Sequence, residues 1–245
     1  MIPRFYCPDA AQPLAAGMVV TLPEAVAHHA LKVLRLRGGD ALVLFDGTGG
    51  EYAATLEEGG RQLRARLHEW RDIDREAPLA VTLAQCLPAG DKMDWVVQKA
   101  VELGVAAVQP LSSKRSVVRL TGERMVRRSE HWVQVAVAAC EQSGRNQPPQ
   151  FHPLVDLPHW LAQPAVPDAL RLFLSPHDGL RLAELPRPQA GVTLLIGPEG
   201  GFEEDEAALV RSTGFQAVRL GPRVLRTETA GLAALAAVMT LWGDF

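Results

Sequence analysis

Two short stretches near the carboxyl end of this 245-residue chain concentrate the residue types that do chemistry. The first reads Ile196-Gly197-Pro198-Glu199-Gly200-Gly201-Phe202 and runs straight into Glu203, Glu204, Asp205 and Glu206. The second reads Leu220-Gly221-Pro222-Arg223-Val224-Leu225-Arg226-Thr227-Glu228-Thr229-Ala230-Gly231. Two arginines, a carboxylate and two threonines in so short a connection exceed what a turn needs. Glycines let backbone approach a bound molecule closely or take positive φ, and Pro198 stiffens the entry. A helix N-terminus ordinarily attracts phosphate. Here the acidic first turn already occupies the positive end of the dipole and repels a pyrophosphate. The spacing is neither Gly-x-Gly-x-x-Gly nor Gly-x-x-x-x-Gly-Lys. The pattern therefore points to a ligand that is not a phosphate anion, and it disfavours a nicotinamide oxidoreductase. For the first loop alone, a plain turn with a negatively charged helix start is an equal competitor.

The elements around these stretches must place them at one edge of a sheet. Val192–Ile196 is an apolar, β-rich run bounded by glycines, so the order is strand, glycine loop, helix. That is where open α/β sheets bind ligands. Upstream, strands are expected at 79–87 and 106–111, near 151–155 and at 170–174, with helices at 92–103 and 123–142 and a last strand near 217–220. Strands alternating with helices imply a mostly parallel sheet covered on both faces. The closing helix carries Leu232, Leu235, Ala236 and Met239 with alanines between them. Being apolar nearly all round, it must be covered by the fold or by a second subunit.

The chain before about residue 71 reads differently. Residues 40–45 alternate as a strand, 46–50 form a hairpin-type turn, 51–56 return, and Gly59-Gly60 turns into 62–70. Several short strands suggest a small barrel, interrupted by a helix over 23–34 whose apolar residues are Ala27, Ala30, Leu31 and Leu34. A charged, proline-ended segment at 72–78 separates the two regimes. The expected domains are 1–72 and 73–245.

A formal charge of −3 gives no global signal for nucleic acid, so any RNA surface must be a local patch. Two patches qualify. Lys32, Arg35 and Arg37, beside His28 and His29, end the first helix, with Arg4 near the start of the chain. Lys114, Arg115, Arg119, Arg124, Arg127, Arg128 and Arg145 are strung between Ser113 and Asn146. Such stripes suit an RNA backbone better than a small acidic substrate, although ordinary solvated helix faces look similar. Residues 141–146, Glu-Gln-Ser-Gly-Arg-Asn, hold more hydrogen-bonding groups than a helix exit requires. Cys7, Cys86 and Cys140 are too scattered for a disulfide framework or a zinc site, no metal is expected, and a reducing cytoplasm fits. No N-terminal signal is evident and no apolar run is long enough to span a bilayer.

The two C-terminal motifs together resemble the RsmE-type family, S-adenosylmethionine-dependent methyltransferases of the SPOUT class that modify N3 of a uridine in small-subunit (16S) ribosomal RNA. Lys92-Met93, Glu102-Leu103-Gly104-Val105, residues 138–146, Val33-Leu34-Arg35-Leu36 and Leu44-Phe45-Asp46-Gly47 are similar to the family too, so the likeness covers nearly the whole chain. It implies an α/β C-terminal domain with a trefoil knot, preceded by a PUA-like β-barrel that binds RNA, and a homodimer acting on the small ribosomal subunit. The cofactor is expected against Leu174, Ile196, Gly197, Pro198, Glu199, Gly200, Gly201, Leu220, Gly221, Leu225, Thr227 and Ala230. Arg4, Lys32, Arg35, Arg37, Lys114, Arg115 and Arg145 are the expected RNA contacts.

The resemblance also frames the chemistry. Neutral uridine N3 carries a proton and is a poor nucleophile, so something must take the proton or stabilise the anion. Arg226, or Arg223, is expected to stabilise charge on the uracil carbonyl oxygens. Glu228 ranks narrowly above Glu199 as proton acceptor, provided burial raises its pKa; capping or pairing with an arginine competes with that role. The alternatives are a SPOUT methyltransferase of another RNA or atom, and a non-catalytic RNA-binding ribosome-assembly factor.

Overall fold

A computed structural model describes residues 2–8, 14–57 and 62–245, in two compact units. The first comprises Met1–Glu76 together with Cys140–Pro148, and the second Ala77–Ala139 with Pro149–Phe245. The Gly59-Gly60 turn expected from sequence lies outside the described residues.

The first unit is built on strands β1 (Arg4–Tyr6), β2 (Val19–Thr21), β3 (Ala41–Phe45), β4 (Glu51–Glu57) and β5 (Arg64–Arg71), in the order β1-β3-β4-β5-β2. All pairings are antiparallel except β1 with β3. Their inward side chains, among them Phe5, Leu42, Leu44, Leu56 and Leu67, form one apolar cluster, as period-two patterning requires. Asp46 holds the β3–β4 turn by accepting the Thr48 N–H at 3.0 Å.

The helix expected over 23–34 is only partly α-helical. It runs as α1 (Glu24–His28) and then widens into a π-turn over His29–Val33, with Leu34 N–H donating to the His29 carbonyl at 3.0 Å. The extra residue per turn rotates the apolar stripe off register. Ala30 is fully buried, while Leu31 and Leu34, expected on the same face, are 42% and 41% exposed.

The second unit contains β6 (Val81–Cys86), α2 (Lys92–Glu102), β7 (Ala107–Ser112), most of α3 (Gly122–Ser143), β8 (Gln150–Phe151), β9 (Val155–Asp156), α4 (Leu157–Leu161), β10 (Leu170–Leu174), β11 (Leu180–Arg181), β12 (Val192–Ile196), α5 (Glu204–Ser212), β13 (Gln216–Arg219) and α6 (Thr227–Trp242). The sheet order is β11-β13-β10-β12-β6-β7-β8, with β9 also against β7, and every pairing is parallel. Every residue of β12 is buried, because helices cover both faces. α4 and α5 close one face through Leu157, Leu161 and Val210, and α6 packs on the other against β6, β12 and α2. A Cβ on Gly231 would lie 2.9 Å from Gln85 Oε1 and 3.3 Å from Ile196 Cγ1, so α6 meets the sheet at a distance only glycine permits. The outer side of α6 is less covered: Leu241 is 43% exposed.

Candidate active site

In a parallel sheet the strands all point the same way, so the loops following them gather at one edge. Leu174 ends β10 and Ile196 ends β12, with Leu220 just after β13, which puts all three walls expected of the cofactor pocket on that edge. Both glycine junctions lie there as well, and a single hydroxyl ties them together. Thr227, the first residue of α6, donates from Oγ1 to the Gly197 carbonyl at 2.6 Å and accepts from Gln85 Nε2 at 3.0 Å. Gln85 also donates to the Cys86 carbonyl at 2.9 Å, and it lies opposite Ile196 in the β6–β12 ladder. Thr227 and Gln85 are 5% and 0% exposed, so the bonds of Gln85 form away from water, where leaving one unmade is costly, and the Thr227–Gly197 bond is part-buried.

The first loop is a tight turn: Gly201 N–H donates to the Pro198 carbonyl at 2.9 Å, and Gly201 has φ +67°, a value that favours glycine. The acids after it are engaged with the helix start. Glu206, 2% exposed, accepts the Glu203 N–H at 3.1 Å in a capping box and the Lys114 N–H at 2.9 Å. Lys114 pairs with Asp205 and lies 3.5 Å from Glu203, while Arg115 donates to the Gly200 carbonyl at 2.8 Å. Both side chains therefore brace the loop as well as adding positive charge to its surface, each 49% exposed.

Charge is organised around Lys92. Its ammonium is 3.0 Å from Glu228 Oε1 and 3.9 Å from Glu199 Oε1, and Glu199 also accepts the Ala89 N–H at 2.7 Å. Burial pushes the Glu228 carboxyl upward, but its own backbone N–H and Lys92 outweigh that and hold it below the ordinary range. The condition set for Glu228 as base, a pKa raised by burial, is therefore not met in the free protein. Its other oxygen, Oε2, is buried with no hydrogen-bond partner among the described residues, and so is Gln85 Oε1. Orphaned buried acceptors call for a donor or a cation from a ligand. Arg226 caps α6 through its carbonyl, which accepts the Thr229 and Ala230 N–H groups, and its side chain and that of Arg223 are exposed.

The expected RNA contacts divide. Lys32, Arg35 and Arg37 are exposed on and after the π-turn, Arg35 at φ +57°, an uncommon conformation for a non-glycine residue. Arg4 and Arg145 are instead internal ties of the first unit. Arg4 binds Glu51, Asn146 Oδ1 and the Gly144 carbonyl, and its guanidinium lies 5.2 Å from the Phe45 ring centre. Arg145, 5% exposed, donates from Nε to Glu76 at 2.8 Å. The dense hydrogen-bonding of residues 141–146 serves the same purpose: Glu141 accepts the Tyr6 N–H and Asn146 donates to the Ile73 carbonyl. Sequence reasoning missed Gln85 and Lys92 as site residues. A glutamine close to the end of a largely apolar strand was the available signal for the first.

All three cysteines are buried, and burial pushes each thiol up to about 12. No group of acidic, histidine or cysteine side chains able to hold a metal occurs among the described residues, and no helix there is long and apolar enough to cross a membrane.

The model of an RNA methyltransferase domain matches residues 75–239, and that of an RNA methyltransferase PUA domain matches residues 22–67. The chain belongs to this RNA methyltransferase family. The two matches together give the chain an α/β RNA methyltransferase domain preceded by a PUA domain. The ribosomal RNA small subunit methyltransferase E of Neisseria gonorrhoeae, solved bound to S-adenosyl methionine, is 40% identical, with a TM-score of 0.92 over 100% of both chains. A Legionella pneumophila methyltransferase in complex with bound SAM is 36% identical, with a TM-score of 0.94 over 100% of both chains. The Bacillus subtilis ribosomal RNA small subunit methyltransferase E is 33% identical over 86% of each chain.

Proposed function

We propose that this family member is an S-adenosylmethionine-dependent methyltransferase that modifies N3 of a uridine in 16S ribosomal RNA, in the decoding region of the small subunit. The observation that carries the reading is the Thr227 hydroxyl bridging the two glycine junctions at the sheet edge, in a chain whose full-length relatives are small-subunit methyltransferases.

When bound, S-adenosylmethionine supplies a methyl group on a sulfonium cation and brings no phosphate. The residues fit such a molecule. The helix start beside the first loop is occupied by carboxylates, which suits a cation and excludes a pyrophosphate. The buried acceptors Glu228 Oε2 and Gln85 Oε1 are without partners among the described residues. Leu174, Ile196, Leu220 and Leu225 would furnish apolar walls, with the backbone of residues 197–201 and 221 and the side chains of Thr227 and Ala230 completing the pocket.

Arg226 at the mouth stabilises negative charge on the uracil carbonyl oxygens, a contribution of about 3 to 4 kcal/mol when such a donor is lost. Glu228, held ionised by its own backbone N–H and by Lys92, serves to fix that lysine and to accept a hydrogen bond through Oε2. Glu199 is the remaining carboxylate proposed to accept the N3 proton, and it too lies near Lys92 and accepts the Ala89 N–H. The uridine must be unpaired or flipped out to reach these groups. Lys32, Arg35 and Arg37 in the first unit and Lys114 and Arg115 in the second neutralise RNA phosphates. A second copy of the chain covers the exposed Leu241 of α6 in a homodimer, and the enzyme works in the cytoplasm where small subunits are assembled.

Incubation with labelled S-adenosylmethionine and small ribosomal subunits tests this directly. Label should enter the 16S RNA and create a reverse-transcription stop, because N3 methylation blocks the pairing edge of uracil. Absence of label would sink the enzyme reading. Label without a stop would move the methyl to another atom.

A further inference from the structure

A cavity opens near the same sheet edge, and the reaction proposed above does not use it. It is a cleft of about 230 Å³ between the loop after β6, the segment before α3 and the first turns of α3. Pro88, Met93, Leu120 and Trp132 form apolar walls, and Arg124 and Arg128 stand on its rim. The wall is fixed in place: Trp132 Nε1 donates to Asp94 Oδ1 at 3.0 Å, and His131 binds the other oxygen of that carboxylate at 2.7 Å. Arg128 is tied to Asp91 and Arg127 to Glu123 at 2.9 Å, whereas Arg124 is exposed and pairs with no carboxylate among the described residues.

We infer that this cleft is a nucleotide subsite, taking an unpaired nucleotide of the RNA next to the target uridine. The inference rests on the RNA-modifying reading. The volume suits a single ring system rather than a drug-sized ligand. Apolar walls beside exposed guanidinium groups are the combination that single-stranded RNA uses, with the base face on the wall and the phosphate on arginine. Arg124 and Arg127, one turn apart on the exposed face of α3, take the phosphates, while Arg128 stays with Asp91 and keeps that carboxylate from repelling them. Position favours RNA over an acidic peptide. Ala89, adjacent to Pro88 in the wall, donates its N–H to Glu199 of the reaction corner, so chain held in the cleft continues along the edge toward the methyl donor.

The test compares wild type with the double variant Arg124→Ala/Arg127→Ala and with Val118→Asp, which puts a carboxylate into the lining. Affinity for small ribosomal subunits is measured by filter binding across a salt series, with calorimetry of S-adenosylmethionine and thermal melting as controls of fold and pocket. The double variant should bind about tenfold more weakly near 0.15 M salt, and its log–log salt slope should fall by about 1.4, or about 0.7 for each lost phosphate contact. Val118→Asp should weaken binding at every salt concentration, because it opposes the base rather than a phosphate. Wild-type affinity and slope in the double variant, with melting and donor binding intact, would overturn the subsite. So would unimpaired RNA binding by Val118→Asp, or a wild type that binds no RNA. Binding that responds as expected in an enzyme that transfers no methyl would instead defeat the proposed reaction and leave the subsite standing.

Discussion

Replacing Thr227 by valine keeps the volume of the side chain and removes one hydroxyl. That hydroxyl is 2.6 Å from the Gly197 carbonyl and 3.0 Å from Gln85 Nε2, and Thr227 is 5% exposed. The variant loses both bonds and leaves the Gly197 carbonyl short of a donor, while Gln85 keeps its bond to the Cys86 carbonyl. One half-buried acceptor left without its donor plus one partly stranded buried amide amounts to about 2 to 3 kcal/mol. In a chain of this size that is a fall in melting temperature of about 4 to 12 °C. The same change unpins the first glycine loop from α6, so calorimetric affinity for S-adenosylmethionine should fall as well. Thr227→Ser retains the hydroxyl and should restore most of both properties. A valine variant that melts within a degree of wild type and binds the donor equally well would refute the claim that this hydroxyl joins the two junctions.

Three further outcomes are expected. Arg226→Ala should abolish methyl transfer to small subunits while leaving donor affinity nearly unchanged by calorimetry; lost donor binding would make it a pocket residue. Lys92→Met removes the lysine that, with the Glu228 backbone N–H, holds this carboxyl down against burial. Because the folded pKa of Glu228 lies below its unfolded value, its stabilisation is present above about pH 4.5 and is lost as pH falls through the folded value. The stability gap between wild type and Lys92→Met, measured by urea unfolding, should therefore be widest near neutrality and shrink toward pH 3. Arg4→Met should cost about 3 kcal/mol of stability, toward the low end for breaking a buried pair because Arg75 still reaches Glu51 at 3.2 Å. Equal melting of Arg4→Met and wild type would return Arg4 to the list of surface contacts.

Much of the fold is written in local pattern. β12 begins and ends where its apolar run does, since a strand buried on both faces has little polar character to blur its limits. The acidic start of α5 and the two glycine junctions were legible for a similar reason: few other roles gather such residues so closely. What sequence did not disclose depends on partners distant in the chain. Arg4 and Arg145 look like surface cations until Glu51 and Glu76 are seen across from them, 47 and 69 residues away. The π-turn at His29–Val33 defeats a 3.6-residue period by inserting one residue, which no hydrophobic pattern announces. Lys92 and Gln85 became site residues only when the fold set their helix and strand beside the two glycine junctions.

The composition of the first unit bears on how the chain is made. Its ties include Arg4 to Asn146, Tyr6 to Glu141, Ile73 to Asn146 and Glu76 to Arg145, all drawn from the segment that ends at Pro148. During synthesis the amino-terminal strands can collapse early, but they must wait for that later segment to leave the ribosome before their buried charges are matched. An isolated fragment stopping at residue 72 would lack these counterparts, so expression trials that seek the first unit alone should supply residues 140–148 in some form.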